Sequence, residues 1–193
     1  MADHLENLSL VIPNSSHEAE YGRVMDRWEA LEQTIQPELM RRYSKKSGTN
    51  IPFQKWLSYC EDDRTTASML STHVPCTLYF LVNGADEILG SMVINHGDTQ
   101  RGHLHAGIVP WHRGKGYGTA MLRLSLEKCY EMGIQKVHIT PRKDNLSAIR
   151  TIIKNGGILV NEFCYDGVAV LRYEIEVYGR SDHPCLLYTS RCV

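Results

Sequence analysis

No stretch of this 193-residue chain approaches the roughly 20 apolar residues that a membrane-spanning helix needs. Charge of either sign is not in excess: 21 Lys and Arg stand against 22 Asp and Glu, so the global basic footprint of a nucleic-acid binder is missing. The six cysteines (Cys60, Cys76, Cys129, Cys164, Cys185, Cys192) form no C-x-x-C pair and no metal-ligand spacing with histidine. The residues after Met1 are polar and acidic, unlike a targeting peptide, so nothing points to an oxidising compartment. These absences set the expectation of a reduced, cytoplasmic protein without membrane, nucleic-acid or metal partners. The length suggests one domain with a substantial core, over residues 1–179. Arg180 to Val193 carries no periodicity and reads as a loose tail or a sequence-end artefact.

What is present centres on Ile108 to Thr119 (IVPWHRGKGYGT). An apolar run ends at Val109, Pro110 stops it, a basic glycine-rich turn follows, and Ala120 to Met132 reads as a helix. The first turn of a helix has backbone N–H groups without partners, and these carry the positive end of the helix dipole. Gly114, Gly116 and Gly118 let the backbone approach an anion closely, and Arg113 and Lys115 add positive charge. The stretch therefore predicts a phosphate or pyrophosphate cradle. It is not a P-loop, because Gly114-Lys115 is followed by Gly116 rather than Ser or Thr. It is not a dinucleotide fingerprint, because Thr119 stands where the third glycine belongs. A glycine-rich strand-to-helix turn with solvated charges is the bland alternative.

The rest of the chain alternates in period. Leu8 to Ile12 is a candidate strand, and Ser15 with Glu18 has capping-box spacing ahead of a helix from Ser16 to Gln33. Arg41 to Asn50 is loop-like, a second helix is expected over Pro52 to Cys60, and Glu61 to His73 is ambiguous. Strands come next at Thr77 to Val82, Ile88 to Asn95 and His103 to Val109. Beyond the cradle helix, which Gly133 should end, come a strand at Ile134 to Thr140, a helix at Leu146 to Asn155, and strands at Ile158 to Cys164 and Val168 to Val177 joined by Asp166-Gly167. Ile149, Ile152 and Ile153 are expected on the buried side of that helix. The order β-α-α-β-β-β-α-β-α-β-β predicts an α/β protein with one twisted, mixed sheet and helices on both faces.

Arg113-Gly114-Lys115-Gly116-Tyr117-Gly118 matches Arg/Gln-x-x-Gly-x-Gly/Ala at every fixed position, and in this it resembles the pyrophosphate signature of the GNAT superfamily of acyl-CoA N-acyltransferases. The element order is also that of the GNAT fold, with a mostly antiparallel sheet. Thr119 to Leu122, Gly133-Ile134, Asp144-Asn145, Lys154 to Gly157 and Arg172-Tyr173 are similar to an uncharacterised acetyltransferase subfamily. The resemblance spans about Leu8 to Val177. It implies a splayed central strand pair, opened between Ile108 and Thr140, and acetyl-CoA as co-substrate. Ile108 and Val109 would offer backbone groups to the pantetheine arm, Arg113, Gly114, Lys115, Gly116, Tyr117, Gly118 and Thr119 would hold the pyrophosphate, and Asn145 would contact the cofactor. Asn145 also reads as a plain helix N-cap. Many members carry a tyrosine seven residues after this asparagine as general acid. Here that residue is Ile152, so the acid is unassigned.

Direct transfer to an amine requires removal of a proton and stabilisation of an oxyanion, for which a backbone N–H near Val109 is suited. His96, His103 and His105 are the base candidates, with His103 and His105 on one strand face leading to the acyl site. Each also reads as an ordinary sheet-face residue. Glu162 qualifies only as a carboxylate on a central strand. Cys129 is expected in the core. Trp28, Trp56 and Tyr59 fit a pocket or, more simply, the core. The acceptor is a small-molecule or peptide amine, and a homodimer is compatible with the sequence. The competing readings are a non-catalytic acyl-CoA sensor on the same fold and a nucleotide-binding protein.

Overall fold

Tyr21, Val24, Met25 and Trp28 recur at helical spacing, and all four are at most 3% exposed. They form the inner face of α1 (Glu18–Glu29) in the computed structural model, which describes residues 5–31, 33–41, 50–65 and 74–178. A 3₁₀ turn, Ser15–His17, precedes α1. The expected Ser15/Glu18 capping box lies one residue upstream. Asn14 accepts from the Ser16 N–H at 2.9 Å, and His17 Nδ1 accepts from the Asn14 N–H at 3.1 Å. The extra 3₁₀ turn moves the helix start toward Pro13. The other elements are β1 (Ser9–Val11), α2 (Phe53–Thr65), β2 (Cys76–Val82), β3 (Ile88–Asn95), β4 (Leu104–Ile108), α3 (Tyr117–Glu131), β5 (Lys136–Ile139), α4 (Leu146–Lys154), β6 (Ile158–Tyr165) and β7 (Val168–Glu176). Thus α2 runs five residues past its expected end. Most of the loop expected at Arg41 to Asn50, and the tail after residue 179, lie outside the described residues.

The ladders divide into two sheets, β1-β2-β3-β4 and β5-β7-β6, between β4 and β5, where the resemblance implies a splayed strand pair. All paired strands are antiparallel. A bridge between Gly102 and Ile139 joins the sheets, and from there β4 and β5 part. Two cores cover the two faces. On one, α1 and α2 bring Tyr21, Trp28, Phe53 and Trp56 against Leu78 and Phe80, with the Tyr21 and Trp56 rings stacked at 4.6 Å. On the other, Met121, Leu122 and Cys129 of α3 and Ile152 of α4 pack on Leu81, Met92, Val137, Tyr173 and Ile175. Every residue of β2 is buried, as a central strand covered on both faces requires. Ile153 departs from expectation. It is 55% exposed, because α4 lies flat on the edge of the second core and buries only its Ile152 side.

Local chemistry sets the breaks. Gly133, at φ 77°, ends α3, with its N–H on Tyr130 O and the Ile134 N–H on Cys129 O, a Schellman arrangement. Asp166 and Gly167, both at positive φ, make the tight β6–β7 turn.

Candidate active site

The site is built on β4 and the glycine-rich turn after it. Asn95 N–H donates to His103 O and Val109 N–H to Leu89 O, so in the antiparallel β3–β4 ladder the odd-numbered residues of β4 bond to β3. By the same alternation, Ala106 and Ile108 turn their N–H and C=O groups to the opposite edge, toward the gap. Across it, Ile139 and Pro141 face β7, which leaves His138 and Thr140 turned toward β4. The Thr140 side-chain oxygen is buried without a hydrogen-bond partner among the described residues.

This geometry corrects one assignment. Val109 is fully buried, donates its N–H to Leu89 O at 3.0 Å, and accepts from the His112 N–H. Its amide is therefore committed and is not available to an oxyanion. Ile108 does stand at the open edge, where its carbonyl accepts from Arg113 Nε at 3.0 Å. Arg113 Nη1 also reaches Gln33 Oε1 at 2.9 Å, and its guanidinium lies 5.8 Å from the Trp28 ring centre.

The cradle comes next along the chain. Gly114 and Gly116 have φ of 76° and 88°, a region open to glycine at little cost, and Gly116 caps α3. The N–H groups of Gly114, Gly116 and Gly118 donate to nothing among the described residues. They sit at the positive end of a 15-residue helix beside Arg113 and Lys115, a donor set that fits a phosphate. Only the backbone of Tyr117 is on offer, since its side chain is buried against the His112 ring. Thr119 N–H returns to Gly116 O. Asn145 is an exposed N-cap of α4 and accepts from the Ala148 N–H at 3.1 Å. Ile152 is buried against Gly157 and brings no hydroxyl.

The two histidines part company. His103 is 5% exposed, gives its N–H to His138 O, and takes the His138 N–H on Nδ1 at 3.0 Å. It staples the two sheets where they meet. Burial lowers its pKa, against the pull of Asp98. Asp98 ties the same junction to β7: Arg172 Nη2 lies 2.5 Å away and His138 Nδ1 2.9 Å. Although burial works to raise it, the Asp98 pKa is held down by His138 and Arg172. Asp98, His103 and His138 have metal-like spacing, but the Arg172 guanidinium already supplies the positive charge on that carboxylate.

His105 lines a cavity of about 1050 Å³ on the α1–α2 side of the gap. Trp56, Tyr59, Asp62 and Asp63 of α2, Glu38, Arg101 and, from the other sheet, Tyr165 share that lining. Asn95 Nδ2 donates to Gly102 O at 3.0 Å and faces His105 Nε2 at 3.1 Å. An amide nitrogen only donates, so Nε2 accepts and the ring proton sits on Nδ1. Burial and then Arg101 push the His105 pKa down to about 4. A ring in this state is a hydrogen-bond donor and a poor base, and His103 has spent its acceptor on His138. Neither fits the role of general base. His96 is tied to Thr77 Oγ1 at 2.8 Å, and Glu162 is exposed and paired with Lys143 at 2.7 Å. Burial raises the Cys60 and Cys129 thiols to about 12, which makes them inert. Trp28 and Trp56 belong to the core, and Trp56 and Tyr59 also line the cavity. Asn95, Asp98 and Thr140 had no signal in the sequence, because their roles arise from strands distant in the chain.

A split sheet with an open strand edge that runs into a helix-capping glycine cradle is the architecture of an acyl-CoA-binding acetyltransferase fold. The family model described as "Acetyltransferase (GNAT) family" matches residues 28–156, and the chain belongs to that family. Three solved structures have the same fold. Ribosomal L7/L12 alpha-N-protein acetyltransferase RimL, in complex with coenzyme A, is 15% identical, with 89% of this chain and 95% of that chain covered and a TM-score of 0.61. The spermidine/spermine N-acetyltransferase SpeG from Vibrio cholerae, in mutant forms, is 15% identical, with 88% and 94% covered and a TM-score of 0.58. The microcin C7 self-immunity acetyltransferase MccE, in complex with acetyl-CoA and AMP, is 13% identical, with 89% and 93% covered and a TM-score of 0.58. No curated protein matches the chain by sequence. Among the described residues, no helix is long and apolar enough to cross a membrane.

Proposed function

We propose that this protein transfers an acetyl group from acetyl-CoA directly to an amine. The observation that carries the reading is the continuity of the open β4 edge at Ile108 with the unpaired amides of Gly114, Gly116 and Gly118. Acetyl-CoA, when bound, supplies the activated acyl group. The glycine amides and Lys115 would hold its phosphates. Arg113 would leave Ile108 O for a phosphate, which frees that carbonyl for the amide arm. The Thr140 backbone turns to the same gap, and its buried hydroxyl has no partner among the described residues. The amine enters from the cavity, where Glu38, Asp62 and Asp63 favour a cation and His105 donates from Nδ1. Juxtaposition of amine and thioester then carries most of the acceleration. The relatives include acetyltransferases for polyamine and for protein substrates, and a cavity of this size admits either a small molecule or a peptide end.

Calorimetry tests the first half of this reading. Acetyl-CoA should bind saturably, and Arg113→Glu should weaken it at least tenfold; wild-type protein that is folded and does not bind removes the proposal. A non-catalytic acyl-CoA sensor is the second reading. It is favoured by the core position of Ile152 and by the ties that hold His96, His103 and His105. Release of CoA thiol with a panel of amines separates the two.

A further inference from the structure

The cavity beside β4 has two walls of opposite sign. Arg101 and His105 stand on the β4 side, and Asp62 and Asp63 stand on α2. Trp56, Tyr59 and Asp63 recur at i, i+3 and i+7, so one face of α2 brings aromatic rings and acid to the lining together. Among the described residues, the side chains of Arg101 and Asp62 make no ion pair or hydrogen bond.

The loop that carries Arg101 is pinned at the junction of the sheets. Asn95 Nδ2 donates to Gly102 O at 3.0 Å, Thr99 Oγ1 to the same oxygen at 2.7 Å, and Arg172 Nη1 to Thr99 O at 3.1 Å. The same Asn95 fixes the His105 ring with its proton on Nδ1. One side chain thus sets a guanidinium and an N–H donor on one wall, and the Arg101 charge is felt at the His105 ring. Such a pair suits a carboxylate and repels a lone ammonium. Farther along β4, the chain at Gln36 crosses Gly107, where an added Cβ would lie 1.8 Å from Gln36 O. That carbonyl, an acceptor, therefore stands one residue from the open edge at Ile108. His105 and Gly107 share a strand face and are about 7 Å apart.

Resting on the acetyl-transfer reading, we propose that the acceptor is a free α-amino acid with a cationic side chain. Its carboxylate lies on Arg101 and His105 Nδ1. Its α-amine, one carbon away, reaches toward Gly107 and the gap, and its side chain runs past Tyr59 to Asp62 and Asp63. The ammonium first gives a proton to solvent. The neutral nitrogen then bonds the acetyl carbon, the C–S bond breaks with its electron pair on sulfur, and the second amine proton passes through solvent to the thiolate. A bare polyamine has nothing for Arg101, and a peptide end has an amide where the carboxylate belongs.

Arginine and agmatine, its decarboxylated form, share one acylatable amine and one side chain and differ only in the carboxylate. Measured by CoA-thiol release, kcat/KM for arginine should exceed that for agmatine on the order of 100-fold. Citrulline, which lacks the side-chain charge, should fall about tenfold below arginine. Arg101→Ala should erase most of the arginine-to-agmatine ratio, and Arg101→Lys should restore part of it. Agmatine turned over as well as arginine, or a ratio that Arg101→Ala leaves unchanged, would overturn the proposal while acetyl transfer stands. So would a protein that binds acetyl-CoA and does not acetylate arginine. A folded protein that does not bind acetyl-CoA removes the acetyl-transfer reading and this proposal with it.

Discussion

Asn95 donates its amide to both Gly102 O and His105 Nε2, and the proton that remains on His105 Nδ1 defines what that residue can do. With a pKa near 4, His105 stays neutral across the working range. The rate should therefore show no limb near pH 6.5 from this group and should rise with pH toward the pKa of the acceptor amine. His105→Gln, which keeps a donor, should hold kcat within about tenfold, whereas a true general base is worth ~10²–10⁴. Its loss should also change acid stability. The folded pKa lies below the unfolded 6.5, so the unfolded chain binds more protons between these values. Stability is full above about 6.5 and falls as pH drops toward 4, by up to a few kcal/mol. Urea unfolding at pH 7 and pH 5 should show a smaller loss for His105→Gln than for wild type. Thr140 gives a complementary test. An unpaired buried hydroxyl costs about 1–3 kcal/mol, so Thr140→Val should leave the free protein as stable or more so. Its KM for acetyl-CoA should rise several-fold, and an unchanged KM would take Thr140 out of the site.

At the scale of elements, the gap exists because β4 and β5 are held together at one end only. Gly102, at φ 84°, lets the β3–β4 loop meet β5, and an added Cβ there would lie 2.4 Å from His138 O. The staple is then locked by Asp98 with His138 and Arg172. Asp98→Asn should lower stability at pH 7 by about 1 kcal/mol, a figure discounted for a carboxylate 44% exposed. Because the folded Asp98 pKa is depressed, that contribution is present above the unfolded value near 4 and is lost as pH falls through the folded one. Urea midpoints of variant and wild type should differ at pH 7 and converge in acid; a constant difference would mean that packing, not charge, is lost. The strands were readable because their apolar runs end at turn residues such as Asn83 to Asp86 and Asp166-Gly167. The capping of α1 was misplaced because Asn14 and Ser15 both suit an N-cap, and only the backbone path after Pro13 chooses between them.

At the scale of the whole molecule, two aliphatic and aromatic cores clasp a divided sheet, and the division is where chemistry is possible. By itself the sequence determined the element order, the inner face of α1 and the glycine-rich turn before α3. Each arises from local period or from the φ freedom of glycine, over a dozen residues or fewer. Tertiary structure alone decided the rest. It committed the Val109 amide to Leu89, turned His103 into a staple, and fixed the His105 proton through Asn95. These outcomes depend on which strand lies beside which, and on hydrogen bonds between residues far apart in the chain, such as the Arg172–Asp98 pair, 74 positions apart. Local pattern shows which residue types are on hand, whereas only their partners in space decide which donors and acceptors remain free for a ligand.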